Sequence, residues 1–186
     1  MGDREHWEER YREGVRQDST PSGFVTRHAA LLRGRVLDVA AGAGRNAIFL
    51  AGLGARVEAI DISWSGLSRA RQSAREAGTE LFTIQADLGQ YPLPAGRYDA
   101  VINVRYLQRS LFPSLIAALA PGGFLLFETF LMDQQAIGHP RNPDFLLRRG
   151  ELKEAFAALT LLEYSEGRFE EPNGPVYLAR LLARRP

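Results

Sequence analysis

Apolar and polar positions alternate along the chain with two periods, which predict strands and helices in turn. Five short apolar runs are typical of strands: residues 35–39, 56–60, 80–85, 97–103 and 123–130. Three stretches of helical period lie between them: residues 44–53, 63–77 and 112–120. This order indicates parallel strands joined by crossover helices, so that ligand-facing loops collect at the carboxyl ends of the strands.

Both ends of the chain add elements to this alternation. At the amino end, Trp7, Tyr11 and Val15 recur among charges at helical spacing, which predicts a helix over residues 3–15, and a second helix is expected after Ser22. The last third begins with a long connection, residues 132–148, and a helical stretch over 150–159.

Two further strands are predicted at 160–167 and 175–183, with Pro172 and Asn173 between them as turn residues. We expect these strands to form an antiparallel hairpin. The predicted fold class is therefore α/β: a Rossmann-like, mostly parallel sheet of seven strands, with an antiparallel hairpin strand at the C-terminus and helices on both faces.

Length and composition predict one domain over residues 1–186, with a helical cap at 1–32 and an α/β core at 33–186. A formal charge of +1 argues against a nucleic-acid partner, and the apolar runs are too short for a membrane span. The chain has no cysteine and no signal-peptide pattern, so a cytoplasmic location is expected. A small-molecule substrate and a monomer or homodimer are the remaining expectations.

Residues 36–47 carry the most informative chemistry, because a strand runs through Asp38 into a glycine turn at Gly42 and Gly44. Glycine lets backbone approach a ligand closely, and the helix that follows offers unpaired N–H groups. Asp61 ends the next strand, where a carboxylate can accept hydrogen bonds from a ribose diol. The turn also satisfies the dinucleotide pattern G-x-G-x-x-A, but Asp38 would repel a pyrophosphate and suits an ammonium group better.

These residues resemble the class I S-adenosylmethionine-dependent methyltransferases. The first motif of that family is an acid followed by spaced glycines, seen here over residues 38–44, and the family's later motifs resemble residues 98–103 and 120–124. The resemblance implies S-adenosylmethionine as cofactor and S-adenosylhomocysteine as product. It also implies that Asp61 holds the ribose and that Ala86 and Asp87 lie against the adenine.

The cofactor site expected on these grounds comprises Asp38, Ala40, Gly42, Gly44, Asn46, Asp61, Ile62, Ala86, Asp87, Leu88, Asn103, Arg105, Trp7 and Tyr11. Some of these positions have open alternatives. Asn103 and Arg105 either hold the methionine carboxylate or face the substrate. Trp7 and Tyr11 either cover the sulfonium with their rings or form the apolar stripe by which their helix docks.

Ala40 departs from the family pattern, which most often has glycine there, although a subset with Gly-Arg-Asn after the turn also carries alanine. Within the family, the chain looks most like the small bacterial methyltransferases of the tellurite-resistance type and like thiopurine methyltransferases. That resemblance implies a small acceptor, such as a thiol or a chalcogen oxyanion.

No catalytic residue follows from the motifs, since in-line methyl transfer depends mainly on alignment. Glu128 ends the fifth strand on the expected substrate side, as a general base or as the partner of an arginine. Tyr106, His139 and Arg141 are further candidates, with Arg141 suited to an anionic group and residues 132–148 to a binding loop or lid. No spacing of histidines and carboxylates indicates a metal.

The leading interpretation is a methyltransferase acting on a small molecule. Two alternatives stay open at this point: an NAD(P)-dependent oxidoreductase, favoured by G-x-G-x-x-A, and a non-catalytic module that binds S-adenosylmethionine, favoured by the lack of an obvious base.

Overall fold

The computed structural model describes residues 3–13 and 19–186. Its helices are α1 (Asp3–Arg12), α2 (Gly23–His28), α3 (Arg45–Gly52), α4 (Trp64–Glu76), α5 (Phe112–Ala118) and α6 (Glu151–Ala155). Its strands are β1 (Arg35–Val39), β2 (Arg56–Asp61), β3 (Phe82–Gln85), β4 (Tyr98–Val104), β5 (Leu119–Phe130), β6 (Thr160–Glu171) and β7 (Gly174–Arg184). Short 3-10 helices span Arg109–Leu111, Met132–Ala136 and Pro143–Phe145.

The strands form one seven-stranded sheet in the order β3-β2-β1-β4-β5-β7-β6. Strands β1 to β5 pair in parallel, whereas β7 runs antiparallel to both β5 and β6. The predicted fold class, including the C-terminal hairpin, is therefore confirmed. The strand order reverses between β1 and β4, and the crevice outside such a switch point is where open α/β sheets bind ligands.

Successive side chains of the central strands point to opposite faces of the sheet, which divides the buried core into two layers. On β1, the side chain of Val36 joins one buried cluster while those of Leu37 and Val39 join the other. The first cluster includes Phe24 of α2 and Leu50 of α3, and the second includes residues of α5 and α6. Because each cluster recruits its own helices, both faces of the sheet are covered, as the sequence predicts.

Local capping explains where two helices near the crevice begin. The Ser63 hydroxyl accepts a hydrogen bond from the Gly66 N–H at the start of α4, and the Ser22 hydroxyl accepts one from the Phe24 N–H at the start of α2. Gly44 precedes α3 in the left-handed conformation, with φ 77°. These caps fix the entry of each helix beside the carboxyl end of a strand.

Some predicted boundaries are wrong. The helix expected over 150–159 stops at Ala155, since Phe156 leaves the helical conformation with φ −108°. The hairpin strands are longer than predicted and leave only Pro172 and Asn173 between them. Part of the predicted first helix, including Val15, lies outside the described residues. Within residues 3–13 and 19–186, no helix combines the length and the apolar character of a membrane span.

Candidate cofactor and acceptor site

A cleft of about 1380 Å³ opens at the carboxyl ends of the parallel strands. One half is lined by residues that follow β1, β2 and β3, and the other by residues that follow β4 and β5 and by the β6–β7 hairpin. Pockets for a single ligand commonly measure roughly 300–1,000 Å³. The cleft therefore has room for a nucleoside-sized cofactor and a small second ligand.

The turn after β1 uses left-handed backbone at Ala40 (φ 52°), Gly42 (φ 56°) and Gly44 (φ 77°). A Cβ on Gly42 would lie 2.0 Å from the Tyr11 hydroxyl oxygen, and one on Gly44 would lie 2.7 Å from the Ala70 Cβ. A side chain at Gly44 would thus clash with α4, whereas one at Gly42 would displace the end of the Tyr11 side chain. Gly42 itself does not line the cleft, although Ala41 and Ala43 on either side of it do.

Asp38 lies at the base of this turn and is only 2% exposed. One carboxylate oxygen accepts a hydrogen bond from the Ala47 N–H, while Oδ2 has no hydrogen-bond partner among the residues described. Burial raises the pKa of Asp38 to about 7, and the Ala47 N–H and the Arg45 charge only partly oppose this. A buried carboxylate with an unused oxygen, lining the cleft, is suited to a cationic ligand group.

Asp61 ends β2 and holds the turn in place. Its Oδ2 accepts a hydrogen bond from the Gly42 N–H at 2.8 Å, and its Oδ1 accepts one from the Ser63 N–H at 2.8 Å. Burial raises the pKa of Asp61, against the effect of these N–H donors. The Ile62 N–H also donates to this carboxylate, which leaves acceptor capacity for one further donor, and the residue lines the cleft, so the carboxylate can also accept from a ligand hydroxyl.

Asp87 follows β3 at the same edge. Its Oδ1 accepts a hydrogen bond from the Gly89 N–H at 2.8 Å, and its Oδ2 accepts one from the Gln90 side-chain amide at 3.1 Å. The carboxylate thus orders its own turn, while Ala86, Asp87 and Leu88 line the cleft.

Helix α1 covers the glycine turn and is fastened to α4 by polar contacts. The Glu8 carboxylate accepts hydrogen bonds from the hydroxyls of Ser63 (2.8 Å) and Ser65 (2.5 Å). Mainly through the Ser65 hydroxyl, these bonds lower the pKa of Glu8. Tyr11 is buried against Gly42, whereas Trp7 is 37% exposed, and both line the cleft.

Five side chains at the other half of the cleft form a cluster that we call the Glu128 network: Ser22, Arg105, Glu128, Glu171 and Arg180. Glu128 is fully buried, accepts hydrogen bonds from the Ser22 hydroxyl (3.0 Å) and Arg180 Nε (2.6 Å), and lies 3.5 Å from Arg105 Nε. Glu171 pairs with both arginines. Of the two alternatives for Glu128, the structure supports the partner of an arginine, because two arginines and Ser22 enclose its carboxylate.

Asn103 and Arg105 have different placements, although they are only two residues apart. The Asn103 side chain is buried and donates to the Tyr106 carbonyl at 2.7 Å, outside the lining of the cleft. Its expected contact with the cofactor is therefore not supported by its position. Arg105 and Tyr106 do line the cleft, and the Tyr106 hydroxyl donates to Gln108 Oε1 at 2.5 Å.

The connection over 132–148 is tied down at several points. Gln134 is buried, donates to the His139 carbonyl at 3.1 Å and accepts from the Tyr177 N–H at 2.8 Å. Arg109 holds the far end through the Leu146 carbonyl and Glu151. His139 lines the cleft, but Arg141 is exposed and outside it, so the connection does not bring Arg141 to the site.

The structure brings most of the predicted site together: Trp7, Tyr11, Asp38, Ala40, Gly44, Asn46, Asp61, Ile62, Ala86, Asp87, Leu88, Arg105, Tyr106 and His139 line one cleft. Sequence reasoning missed other lining residues, among them Phe130, Gln134, Glu171 and Asn173. Glu171 and Asn173 lie beside Pro172 in the hairpin turn, and in the sequence only the predicted turn pointed to them.

Comparison with known proteins matches residues 36–123 to the methyltransferase domain family. The ubiquinone biosynthesis O-methyltransferase of Nitrosococcus oceani is 34% identical over 112 residues, which are 57% of this chain and 48% of that protein. The chain thus spans about half the length of the curated relatives it matches.

Solved structures extend the likeness to nearly the whole chain. TehB from Haemophilus influenzae superposes with a TM-score of 0.77 at 21% identity, covering 97% of this chain and 67% of TehB. Magnesium protoporphyrin IX methyltransferase from Synechocystis, solved with bound S-adenosylhomocysteine, gives 0.67 at 21% identity and covers 88% and 78%. Residues 36–123 therefore match the methyltransferase domain family, and the chain shares the fold of these two solved structures.

Proposed function

We propose that this chain transfers the methyl group of S-adenosylmethionine to a small-molecule acceptor. The observation that carries the proposal is the buried carboxylate of Asp38, whose Oδ2 lacks a partner within the described part of the chain. An ammonium group on the ligand would satisfy that oxygen and favour the charged form of the carboxyl. A dinucleotide pyrophosphate would instead add negative charge, which disfavours the oxidoreductase alternative.

The residues present fit such a cofactor. Asp38 would accept from the amino group, and Asp61 would accept from the ribose hydroxyls while keeping its bonds to Gly42 and Ser63. Ala86, Asp87 and Leu88 would flank the adenine. We also propose that residues 1–32 act as a cap over the core, with Tyr11 and Trp7 covering the cofactor side of the cleft.

S-adenosylmethionine supplies an electrophilic methyl group on a sulfonium. The protein's part is to hold the acceptor in line with that group and to exclude water, and effective molarities from such alignment reach about 10⁵ M or more. A thiolate or a chalcogen oxyanion needs no general base, so an acceptor of that kind agrees with the enclosure of Glu128. His139 and Tyr106 stand in the cleft for an acceptor that has to lose a proton.

The relative in ubiquinone biosynthesis is named an O-methyltransferase, which makes hydroxyl acceptors the main competing class. A phenol profits from a base, and His139 would be the candidate for it. Substitution of His139 by Ala separates the two classes. We expect little effect on transfer to an ionised thiol and a loss of about 10²-fold or more on transfer to a phenol.

Calorimetric titration with S-adenosylhomocysteine tests the cofactor. We expect binding by the wild-type protein, a loss of at least about tenfold in Asp61→Ala, and no change in Asp144→Ala, an exposed carboxylate outside the cleft. Absence of wild-type binding would refute the proposal. Incubation with labelled cofactor and thiols, phenols, amines or chalcogen oxyanions then separates an enzyme from a binding module, because a module transfers to none of them.

A further inference from the structure

Arg105 occupies an unusual position in the acceptor half of the cleft. It directly follows β4 with φ 62°, a conformation that non-glycine residues seldom adopt, and its N–H donates to the Glu128 carbonyl at 2.7 Å. Backbone strain of this kind costs about 1–3 kcal/mol and persists where the surroundings fix a residue for a task. Here the strained backbone directs the Arg105 side chain into the Glu128 network.

The three guanidinium nitrogens of Arg105 are used unequally. Nη2 donates to Glu171 at 2.5 Å, and Nε lies 3.5 Å from Glu128 Oε1. Nη1 is buried and has no hydrogen-bond partner in the part of the chain that the structure describes. The Phe130 ring lies 4.6 Å from the guanidinium carbon and limits its freedom to turn.

The ion pairs around Arg105 leave that donor unused, and Arg45 adds a further positive charge nearby. Two arginines, Arg105 and Arg180, face two carboxylates, Glu128 and Glu171. Burial lowers the pKa of Arg105, while the charges of Glu128 and Glu171 oppose this, so the guanidinium stays protonated near neutral pH. A buried charged donor that lacks an acceptor is costly, and an anionic ligand group would remove that cost.

We propose that Nη1 of Arg105 binds an oxyanion, such as a carboxylate, on the methyl acceptor, and so selects acceptors that carry a negative group. This inference rests on the proposed methyl transfer. The acceptor is favoured over the carboxylate of the cofactor, because the partners of Arg105 belong to β5 and to the hairpin. The turn around Asp38 follows β1, which pairs with β4, so the test also measures the affinity for S-adenosylhomocysteine.

A matched pair of probes tests the selection: 4-mercaptobenzoate and 4-mercaptobenzamide, which share a thiol and nearly the same size. Two quantities are measured for each probe: kcat/KM with S-adenosylmethionine, and the dissociation constant in the presence of saturating S-adenosylhomocysteine. We expect the wild-type protein to favour the carboxylate by at least about tenfold in both quantities.

Substitutions then assign the preference to Arg105. In Arg105→Gln the carboxylate preference should fall to within about twofold, and Arg105→Lys should retain part of it. Arg168→Gln is the control, since Arg168 is an exposed arginine of β6 that pairs with Glu170, and it should keep the full preference. Affinity for S-adenosylhomocysteine should stay within about threefold in every variant.

A wild-type preference near one would overturn the inference without any variant, which keeps the test valid even if Arg105→Gln folds poorly. An unchanged preference in Arg105→Gln, combined with a tenfold loss of S-adenosylhomocysteine affinity, would also overturn it by placing the contact on the cofactor. Failure of the proposed function is distinguishable, because the wild-type protein would then not bind S-adenosylhomocysteine.

Discussion

We expect the protonation state of Asp38 to control cofactor binding. Its pKa is raised to about 7 by burial, so the carboxyl changes from mostly neutral to mostly charged between about pH 6 and pH 7.5. Only the charged form is a strong partner for an ammonium group. We expect affinity for S-adenosylhomocysteine to rise about fivefold to tenfold over this interval, as measured by calorimetric titration.

Substitution of Asp38 by Asn should remove most of this pH dependence and weaken binding at pH 7.5. A wild-type affinity that does not change between pH 6 and pH 7.5 would contradict the assignment of Asp38 to the ammonium.

The same carboxyl makes the unliganded protein less stable at higher pH. A raised folded-state pKa means that the folded chain holds the proton more tightly than the unfolded chain. The stabilisation is therefore complete below the unfolded-state pKa, near 4, and is lost as pH rises through about 7. Urea unfolding without ligand should show Asp38→Asn more stable than wild type at pH 8, despite its weaker ligand binding.

Ala40 is the one residue of the glycine turn whose conformation disfavours its side chain. With φ 52° this residue has a conformational cost of about 1 kcal/mol that glycine would not have. The greater freedom of glycine in the unfolded chain offsets part of the stability gained by replacing it. We expect Ala40→Gly to raise the free energy of unfolding by about 0.5 kcal/mol in urea titrations.

Ala43→Gly is the matched control, since Ala43 is in the same turn but outside the positive-φ region. It should lower stability by about 0.5 kcal/mol. Equal effects of the two substitutions would show that the left-handed backbone of Ala40 carries no strain.

At the scale of elements, α1 is held by a polar contact that helical periodicity does not reveal. The sequence predicts an amphipathic helix with Trp7 and Tyr11 on its apolar side, and Tyr11 is indeed buried. The fastening to α4, however, comes from Glu8 and two serines near the start of that helix. Charged residues of a predicted helix are normally assigned to solvent, so no sequence pattern singles out Glu8.

We expect Glu8→Ala to weaken S-adenosylhomocysteine binding severalfold and to leave the melting temperature nearly unchanged, because α1 buries little apolar surface besides Tyr11. Faster amide hydrogen exchange in residues 3–13 should accompany the loss. Glu9→Ala, at an exposed position of the same helix, should leave both measurements unchanged. A fall in melting temperature as large as that of a core mutation would show that α1 is part of the core.

Prediction from the sequence succeeds for elements that carry their own signal. Strand β1 has the predicted bounds, and α4 lies between the Ser63 cap and Ala77 as the pattern indicates.

The C-terminal end of the chain is less well predicted from the sequence. The last strand is predicted to end at residue 183, yet β7 continues to Arg184, and Arg184 and Arg185 donate to the carbonyls of Gly122 and Leu119. Pairing across 60 residues or more is set by the tertiary fold, so local composition could not show it.

At the scale of the whole molecule, one half of the site could be predicted from the sequence and the other half could not. The cofactor half follows from acids at strand ends and from glycine spacing, and most of its residues line the cleft. The acceptor half is assembled from β4, β5, the 132–148 connection and the hairpin, which are distant in sequence. Glu128 illustrates the limit: its place at the end of β5 is visible in the sequence, whereas the hairpin arginine that encloses it is 52 residues away.

The Glu128 network joins the start of α2, the central sheet and the hairpin through one buried carboxylate. Ser22 precedes α2, Glu128 is on β5, and Arg180 is on β7. Replacing Glu128 by Gln removes the negative charge while two arginines stay buried beside it, and breaking a buried pair typically costs about 3 kcal/mol or more. We expect Glu128→Gln to lower the free energy of unfolding by about 3 kcal/mol.

Glu170→Gln is the control, because its exposed pair with Arg168 should contribute less than about 1 kcal/mol.

The Glu128→Gln variant also separates a structural role of the carboxylate from a role as general base. Since Glu128 does not line the cleft, the pH profile of kcat/KM in folded Glu128→Gln should keep its wild-type shape. Loss of the acidic limb of that profile, with stability unchanged, would instead assign Glu128 to proton transfer as a general base.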